Sequence, residues 1–242
     1  MGHERAEEAR ATMLELFPQG FEEVDRPGGV ELAAYTDSAG EERVWAFFGG
    51  ARTADVEGGW EDKWRAFHRP ARVGRLWVGP PWEAPDAGLL AVVVDPGRAF
   101  GTGSHPTTRL CLEALQELAP RSLLDVGCGS GVLAIAAALL GYRPVIGVDV
   151  EEPSIEATRS NAAANQVAVE ARLVGPDERL PHADVAVANI SLDAVESLPP
   201  RLDAGALVTS GYFASERPTL ERYEHVGRRT RDGWACDLHR RI

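Results

Sequence analysis

Apolar and polar positions alternate with different periods along the chain, and the changes of period divide it into three parts. Residues 5–16 are rich in helix formers and close at Pro18 and Gly20, which predicts a first helix. Phe21–Val24 and Val30–Tyr35 alternate like strands around Arg-Pro-Gly-Gly at 26–29, the composition of a hairpin turn. A further short strand is expected at Arg43–Phe48, which completes a small α+β unit over residues 1–56. Gly49-Gly50 and the stretch to Gly59 have the composition of a linker. Trp60, Trp64 and Phe67 then fall at i, i+4 and i+7, one face of a helix, so residues 57–70 are expected to form a docked connector helix. Val73–Val78 and Leu89–Val94 read as strands, separated by the Gly-Pro-Pro-Trp turn at 79–82.

From residue 105 onward helical and strand periods alternate. Helices are expected at Thr107–Leu118, Gly131–Leu140, 153–164, near 191–202 and near 215–226. Strands are expected at Ser122–Val126, Pro144–Asp149, Val167–Leu173, Asp184–Ala188, Ala206–Ser210 and Trp234–His239. Such alternation implies an α/β domain over 71–242 with a parallel, helix-covered sheet, which binds ligands at the carboxyl ends of its strands.

Composition narrows this picture. With 44% hydrophobic and 26% charged residues the chain supports a sizeable core, which argues against wholesale disorder. Its 37 acidic against 25 basic residues give a net charge of −12, which opposes direct nucleic-acid binding and suits a basic partner. No apolar run approaches the roughly 18–20 residues that a membrane helix needs. The charged N-terminus lacks the apolar stretch of a signal peptide, so a cytoplasmic location is expected. Cys111, Cys128 and Cys236 are odd in number and widely separated, so no disulfide framework or metal site is expected.

The candidate chemistry begins at Asp125-Val-Gly127-Cys-Gly129-Ser-Gly131, between a strand and an alanine-rich helix. Glycines there let a ligand approach the backbone, and the helix start offers unpaired N–H groups. A dinucleotide fingerprint, G-x-G-x-x-G, would need glycine at 132, where this chain has Val132. A nicotinamide-dependent oxidoreductase is thereby disfavoured. Asp-Val-Gly-Cys-Gly-Ser-Gly instead resembles the first motif of the S-adenosylmethionine-dependent methyltransferases. Asp125 is then expected to help hold the cofactor's cationic amino-acid end. Asp149, at the end of the next strand, can accept hydrogen bonds from both ribose hydroxyls.

Upstream, Asp95-Pro-Gly-Arg-Ala-Phe100-Gly101-Thr102-Gly103-Ser-His105-Pro-Thr107-Thr108 resembles the signature of the bacterial methyltransferases that act on large-subunit ribosomal protein L11. Trp60-x-x-x-Trp64, the Val-Gly-Pro-Pro-Trp turn and Ala188-Asn189-Ile190 extend the likeness over roughly residues 60–215. The resemblance implies a Rossmann-like class I methyltransferase sheet with helices on both faces, plus a small N-terminal α+β domain that recognises the substrate. It implies methyl transfer from S-adenosylmethionine to amine nitrogens of a basic ribosomal protein by a monomeric enzyme. A same-fold enzyme acting on another protein or a small molecule is the alternative. Thr108, Gly127, Asp149 and Asn189 occupy the family's cofactor-contacting positions, with Gly129 and Gly131 completing the loop. Phe100 and Gly101-Thr102-Gly103 are expected to form a lid. Thr107 and Thr108 stand at a helix start, where their hydroxyls can cap the helix or reach a carboxylate. Asn189 is expected to orient the acceptor amine, and His105 is a candidate proton acceptor. Three departures stand out: a shorter N-terminal part than the family's, Pro153 displaced by one position after Asp149, and Tyr212 where an aliphatic residue is usual.

Overall fold

The computed structural model describes residues 69–95 and 103–242 throughout and, before them, residues 9, 12, 13, 16, 17, 22–26, 29–34, 36 and 38–53. The chain divides into two compact units, residues 1–64 and 65–242. The connector stripe of Trp60, Trp64 and Phe67, and Phe100 with Gly101 and Thr102 of the expected lid, lie outside the described residues.

In the first unit, residues 9, 12, 13 and 16 are helical. Strands β1 (Glu22–Arg26) and β2 (Gly29–Ala33) pair antiparallel from Glu22↔Ala33 to Arg26↔Gly29, as the turn composition predicts. The strand expected at Arg43–Phe48 is instead the end of helix α1 (Ser38–Phe48). Good helix formers before it, Ala39, Glu41 and Glu42, extend one helix through the apolar run. Gly49 then stops it at φ 68°, donating its N–H to the Trp45 carbonyl at 2.9 Å, a left-handed C-terminal cap.

The second unit opens with three short strands, β3 (Ala71–Val73), β4 (Leu76–Gly79) and β5 (Leu90–Val93). The single strand expected over Val73–Val78 is therefore two, because Gly74 turns the chain at φ 57°. The Gln116 side chain locks that turn, accepting from Arg75 N at 2.9 Å and donating to the Val73 carbonyl at 3.0 Å. β4 pairs antiparallel with β3 and parallel with β5.

The main sheet is built from β6 (Leu123–Val126), β7 (Val145–Asp149), β8 (Glu170–Leu173), β9 (Ala183–Asn189), β10 (Ala204–Phe213), β11 (Tyr223–Arg231) and β12 (Trp234–Arg241). Their spatial order is β11-β12-β10-β9-β6-β7-β8. Five strands run parallel, but β12 is antiparallel to both β10 and β11, so the sheet is mixed and not wholly parallel. The helices are α2 (Pro106–Glu117), α3 (Val132–Leu139), α4 (Glu152–Ala164) and the short α5 (Leu192–Glu196).

The helix expected near 215–226 is absent, and that near 191–202 shrinks to α5. Pro218 opposes a helix at the former place. The chain instead forms the β11–β12 hairpin around Asp232 (φ 50°) and Gly233 (φ 81°). Asp-Gly is the pair that a tight hairpin turn needs.

Alternate residues of each central strand feed opposite faces. Leu123, Val145, Val185 and Val187 pack with α2 and α3, whereas Leu124, Val148, Ala186 and Ala188 pack with Val195, Leu198 and Leu202. Helix α3 is buried from Val132 through Ala138, which explains its alanine-rich, nearly uniform apolarity. Beginning at β6, the chain steps outward through β7 and β8, then returns to β9 on the other side of β6. Strand order thus reverses between β6 and β9, the position where open α/β sheets hold their ligands.

Candidate active site

Register fixes what meets at that switch point. Val126 is opposite Val148 on β7 and Ala188 on β9. The next residues, Gly127, Asp149 and Asn189, therefore leave the carboxyl edge of the sheet side by side.

Gly127, Gly129 and Gly131 all adopt positive φ, at 73°, 51° and 81°. Glycine alone takes this conformation without strain. Gly127 and Cys128 both donate to the Val148 carbonyl, at 2.8 and 3.0 Å, which fastens the loop to β7. A Cβ on Gly127 would collide with the Ile190 side chain, and one on Gly131 would lie 3.0 Å from Thr158. Helix α4 braces the loop from behind. Thr158 Oγ1 donates to the Gly129 carbonyl at 3.0 Å and Asn161 Nδ2 to that of Ser130 at 2.9 Å. Asn161 Oδ1 also accepts from Asp95 N at 3.1 Å. Sequence reasoning missed Thr158 and Asn161; their signal is polar side chains one helical turn apart on a buried face.

The two acids differ. Asp149 is half-buried and accepts from Gly129 N at 3.0 Å and Glu151 N at 3.1 Å, one bond to each oxygen. Asp125 is 1% exposed. Its Oδ2 accepts from Ala134 N at 3.0 Å in the first turn of α3, a helix whose N-cap, Gly131, has no side chain to do so. Its Oδ1 is buried without a hydrogen-bond partner. Burial pushes the Asp125 carboxyl up to about 7, against the lowering effect of the Ala134 N–H, and the Asp149 charge adds to the rise.

Asn189 shows the same incompleteness: its Nδ2 donates to Thr108 Oγ1 at 3.3 Å, while its Oδ1 is buried without a partner. Thr108 is fully buried and belongs to α2. The start of α2 is capped by His105, whose Nδ1 accepts from Thr107 N at 3.4 Å and lies 2.8 Å from Thr107 Oγ1. The Thr107 hydroxyl thus serves His105. The His105 ring packs edge-on against Trp234, centroids 4.9 Å apart, and burial lowers its pKa. Gly103 has φ 82°, and a Cβ there would collide with Val78. Both its conformation and the space around it therefore call for glycine at 103.

A sheet with one reversed strand and a glycine-lined loop at its switch point has the fold of the class I methyltransferases, and a carboxylate and two buried oxygens lacking donors gather at that same edge. A model of the family described as ribosomal protein L11 methyltransferase (PrmA) matches residues 41–240. The chain belongs to this family. The ribosomal protein L11 methyltransferase of Pseudomonas putida strain W619 is 47% identical over 168 residues, which cover 65% of this chain and 58% of the relative. That of Pseudomonas fluorescens strain Pf0-1 is 41% identical over 198 residues, 75% of this chain and 68% of the relative. The crystal structure of ribosomal protein L11 methylase from Lactobacillus delbrueckii subsp. bulgaricus superposes with a TM-score of 0.64 at 26% identity, covering 72% of this chain and 99% of that one. The aligned region spans only about 58% of the length of the Pseudomonas putida relatives.

Proposed function

We propose that this chain transfers methyl groups from S-adenosylmethionine to amine nitrogens, lysine side chains or the N-terminal amine, of ribosomal protein L11. The family match and the named relatives support the reaction and the substrate. The pair of partnerless buried oxygens, Asp125 Oδ1 and Asn189 Oδ1, on the paired strands β6 and β9, supports a ligand with donors at this edge. Unpaired acceptors of this kind cost roughly 1–3 kcal/mol each unless a ligand supplies donors.

The residues fit the cofactor. Gly127, Gly129 and Gly131 leave backbone room. Asp149 spends one lone pair on Gly129 N of the loop and one on Glu151 N, and keeps capacity on both oxygens for a ribose diol. Asp125 suits a cationic amino group, and Thr108 holds Asn189 from behind. Bound there, S-adenosylmethionine supplies an electrophilic sulfonium methyl, so the protein's contribution is orientation and exclusion of water. An amine attacks only as the free base, since an ammonium has no lone pair. Asn189 Oδ1 accepts an N–H of that amine and aims its lone pair, and Ile190 forms an apolar wall beside it. His105 is the candidate proton acceptor only at the expense of the cap: with Nδ1 accepting from Thr107 N, the neutral ring carries its proton on Nε2, so uptake at Nδ1 breaks that bond. The lid role of Phe100 and the assignment of residues 1–56 to substrate recognition belong to the same proposal. So do a monomeric state, a cytoplasmic location and the absence of direct nucleic-acid contact, the last supported by the net charge of −12. Among the described residues no helix is long and apolar enough to cross a membrane.

Mass spectrometry of unmodified L11 after incubation with the chain and labelled cofactor is the direct test. Labelled single-methyl increments on lysine or the N-terminus are expected. In a parallel incubation with a ribosomal extract, labelling of a different protein with L11 untouched would favour the alternative substrate.

A further inference from the structure

A buried charged network underlies the carboxyl end of β10. Asp237 on β12 is 1% exposed, yet it accepts four hydrogen bonds. Arg228 donates Nε to Oδ1 and Nη2 to Oδ2, both at 2.8 Å; Tyr212 donates its hydroxyl to Oδ2 at 2.7 Å; His225 Nε2 lies 2.8 Å from Oδ1. The Tyr212 oxygen is also 2.7 Å from Thr209 Oγ1, which is 3.1 Å from His239 Nε2. Arg228 reaches further, to the carbonyls of Ala214 at 2.9 Å and Glu216 at 2.6 Å, and so pins the connection that leaves β10.

Buried carboxylates are costly, and well-packed apolar side chains often stabilise as much or more. What a fully satisfied network adds is a single fixed geometry. The geometry at stake is the bulge between Ser210 and Tyr212. Gly211 sits there at φ 106°, and a Cβ on it would collide with the Ile190 carbonyl oxygen. Ile190 N donates to the Ser210 carbonyl at 3.0 Å. On its other side Ile190 presses its Cγ2 toward Gly127, and it directly follows Asn189. An unbroken series of contacts therefore runs from Asp237 through Tyr212 and the bulge to Ile190, and from there to the glycine loop and Asn189.

We infer that Tyr212, tethered by its hydroxyl to Asp237, is a positioning residue for the methyl acceptor: it fixes the Gly211 bulge against Ile190 and so sets the aim of Asn189. This role rests on the function proposed above. The test is Tyr212→Phe in the full chain, read three ways. The kcat for methylation of L11 falls by about 10- to 100-fold, the scale of a small misplacement of a reacting group. Affinity for S-adenosylmethionine by calorimetry falls far less than kcat, because Asp149 and its bond to Gly129 N stand outside this series of contacts. Amide hydrogen exchange without cofactor accelerates at Ile190 and residues 209–213, whereas Gly129 and Ala134 keep their protection. Arg228→Lys, which retains the charge but loses the two-pronged bond, gives a smaller kcat loss in the same direction and serves if Tyr212→Phe folds poorly. A folded variant with lower thermal stability but unchanged kcat and unchanged Ile190 exchange overturns the inference, as does a loss of cofactor affinity equal to the loss of kcat. If the unmodified chain fails to methylate L11, the proposed function falls on its own, and the exchange at Ile190 still decides whether Tyr212 holds it.

Discussion

Asp125 and Asp149 stand two residues before and at the same edge as Gly127, but burial separates their chemistry. Asp149 is shared between the loop and solvent, and its replacement by alanine removes both a ligand acceptor and the anchor of Gly129 N. Asp149→Ala should weaken S-adenosylmethionine binding by about 1–3 kcal/mol in calorimetry; undiminished affinity in a folded variant would take Asp149 out of the site. Asp125 makes a pH prediction. Its carboxyl is raised to about 7 by burial, so the folded chain holds a proton that the unfolded chain gives up. The sign follows: this group's contribution to stability is present at low pH and is lost as pH rises toward and through about 7. A cationic amino group draws out the charged form, so cofactor binding releases a proton. Affinity should climb with pH below about 7, with a slope approaching tenfold per pH unit, and fall again above about 8, where an α-amino group loses its charge. Calorimetry in buffers of different ionisation heat counts the proton, and Asp125→Asn should abolish both the release and the slope. These acids and the three glycines were legible in the sequence because spacing alone brings them to one strand end. Ile190 as a wedge between Gly127 and Gly211, and Thr158 and Asn161 as braces, were not, because their partners lie distant in sequence and only the assembled sheet brings them close.

Between elements, two glycines separate conformation from contact. Gly127 and Gly233 have nearly the same φ, 73° and 81°, so alanine should cost each about 1–2 kcal/mol of backbone strain. Around Gly233 there is nothing within 4 Å of a Cβ, whereas at Gly127 a Cβ would collide with Ile190. Gly233→Ala should therefore lower stability to urea by roughly that strain and leave cofactor affinity intact. Gly127→Ala should lose more stability and most of the affinity. Equal affinity in the two variants would mean that the loop's shape is irrelevant to binding. The same contrast explains what was readable at this scale. The β6–α3–β7–α4 run follows from period and glycine spacing, since each element carries its own pattern. Arg43–Phe48 was misread because its short apolar run, Val44 to Phe48, fits either period, and 215–226 because Leu220, Tyr223 and Val226 recur at a helical spacing. Other residues decided the outcome: the helix formers Ala39, Glu41 and Glu42 in one case, Pro218 within the stretch and the Asp232-Gly233 turn after it in the other.

On the scale of the whole molecule, charge is divided as unevenly as chemistry. Residues 1–64 hold 15 acidic and 6 basic side chains, which is −9 of the chain's −12, and none of the residues assigned to the candidate active site. A compact unit with its own strand pair and helix, strongly acidic and free of cofactor motifs, suits capture of a basic protein. Two measurements separate that role from a merely structural one. Attraction between an acidic unit and a basic substrate is screened over about 8–10 Å near physiological salt and over about 3 Å at 1 M. Raising salt across that range should therefore increase KM for L11 steeply while leaving the cofactor's affinity nearly flat. A chain beginning at residue 65 should keep near-normal S-adenosylmethionine affinity, since every residue assigned to that site lies between 100 and 189. It should methylate intact L11 far more slowly, through KM, and its remaining activity should respond little to salt. Full activity of the shortened chain on L11 would show that the first unit plays no part in recognition. Loss of cofactor binding on truncation would mean that the first unit supports the fold of the second, and the salt dependence of the full chain would then be the measurement that decides whether it also recognises the substrate.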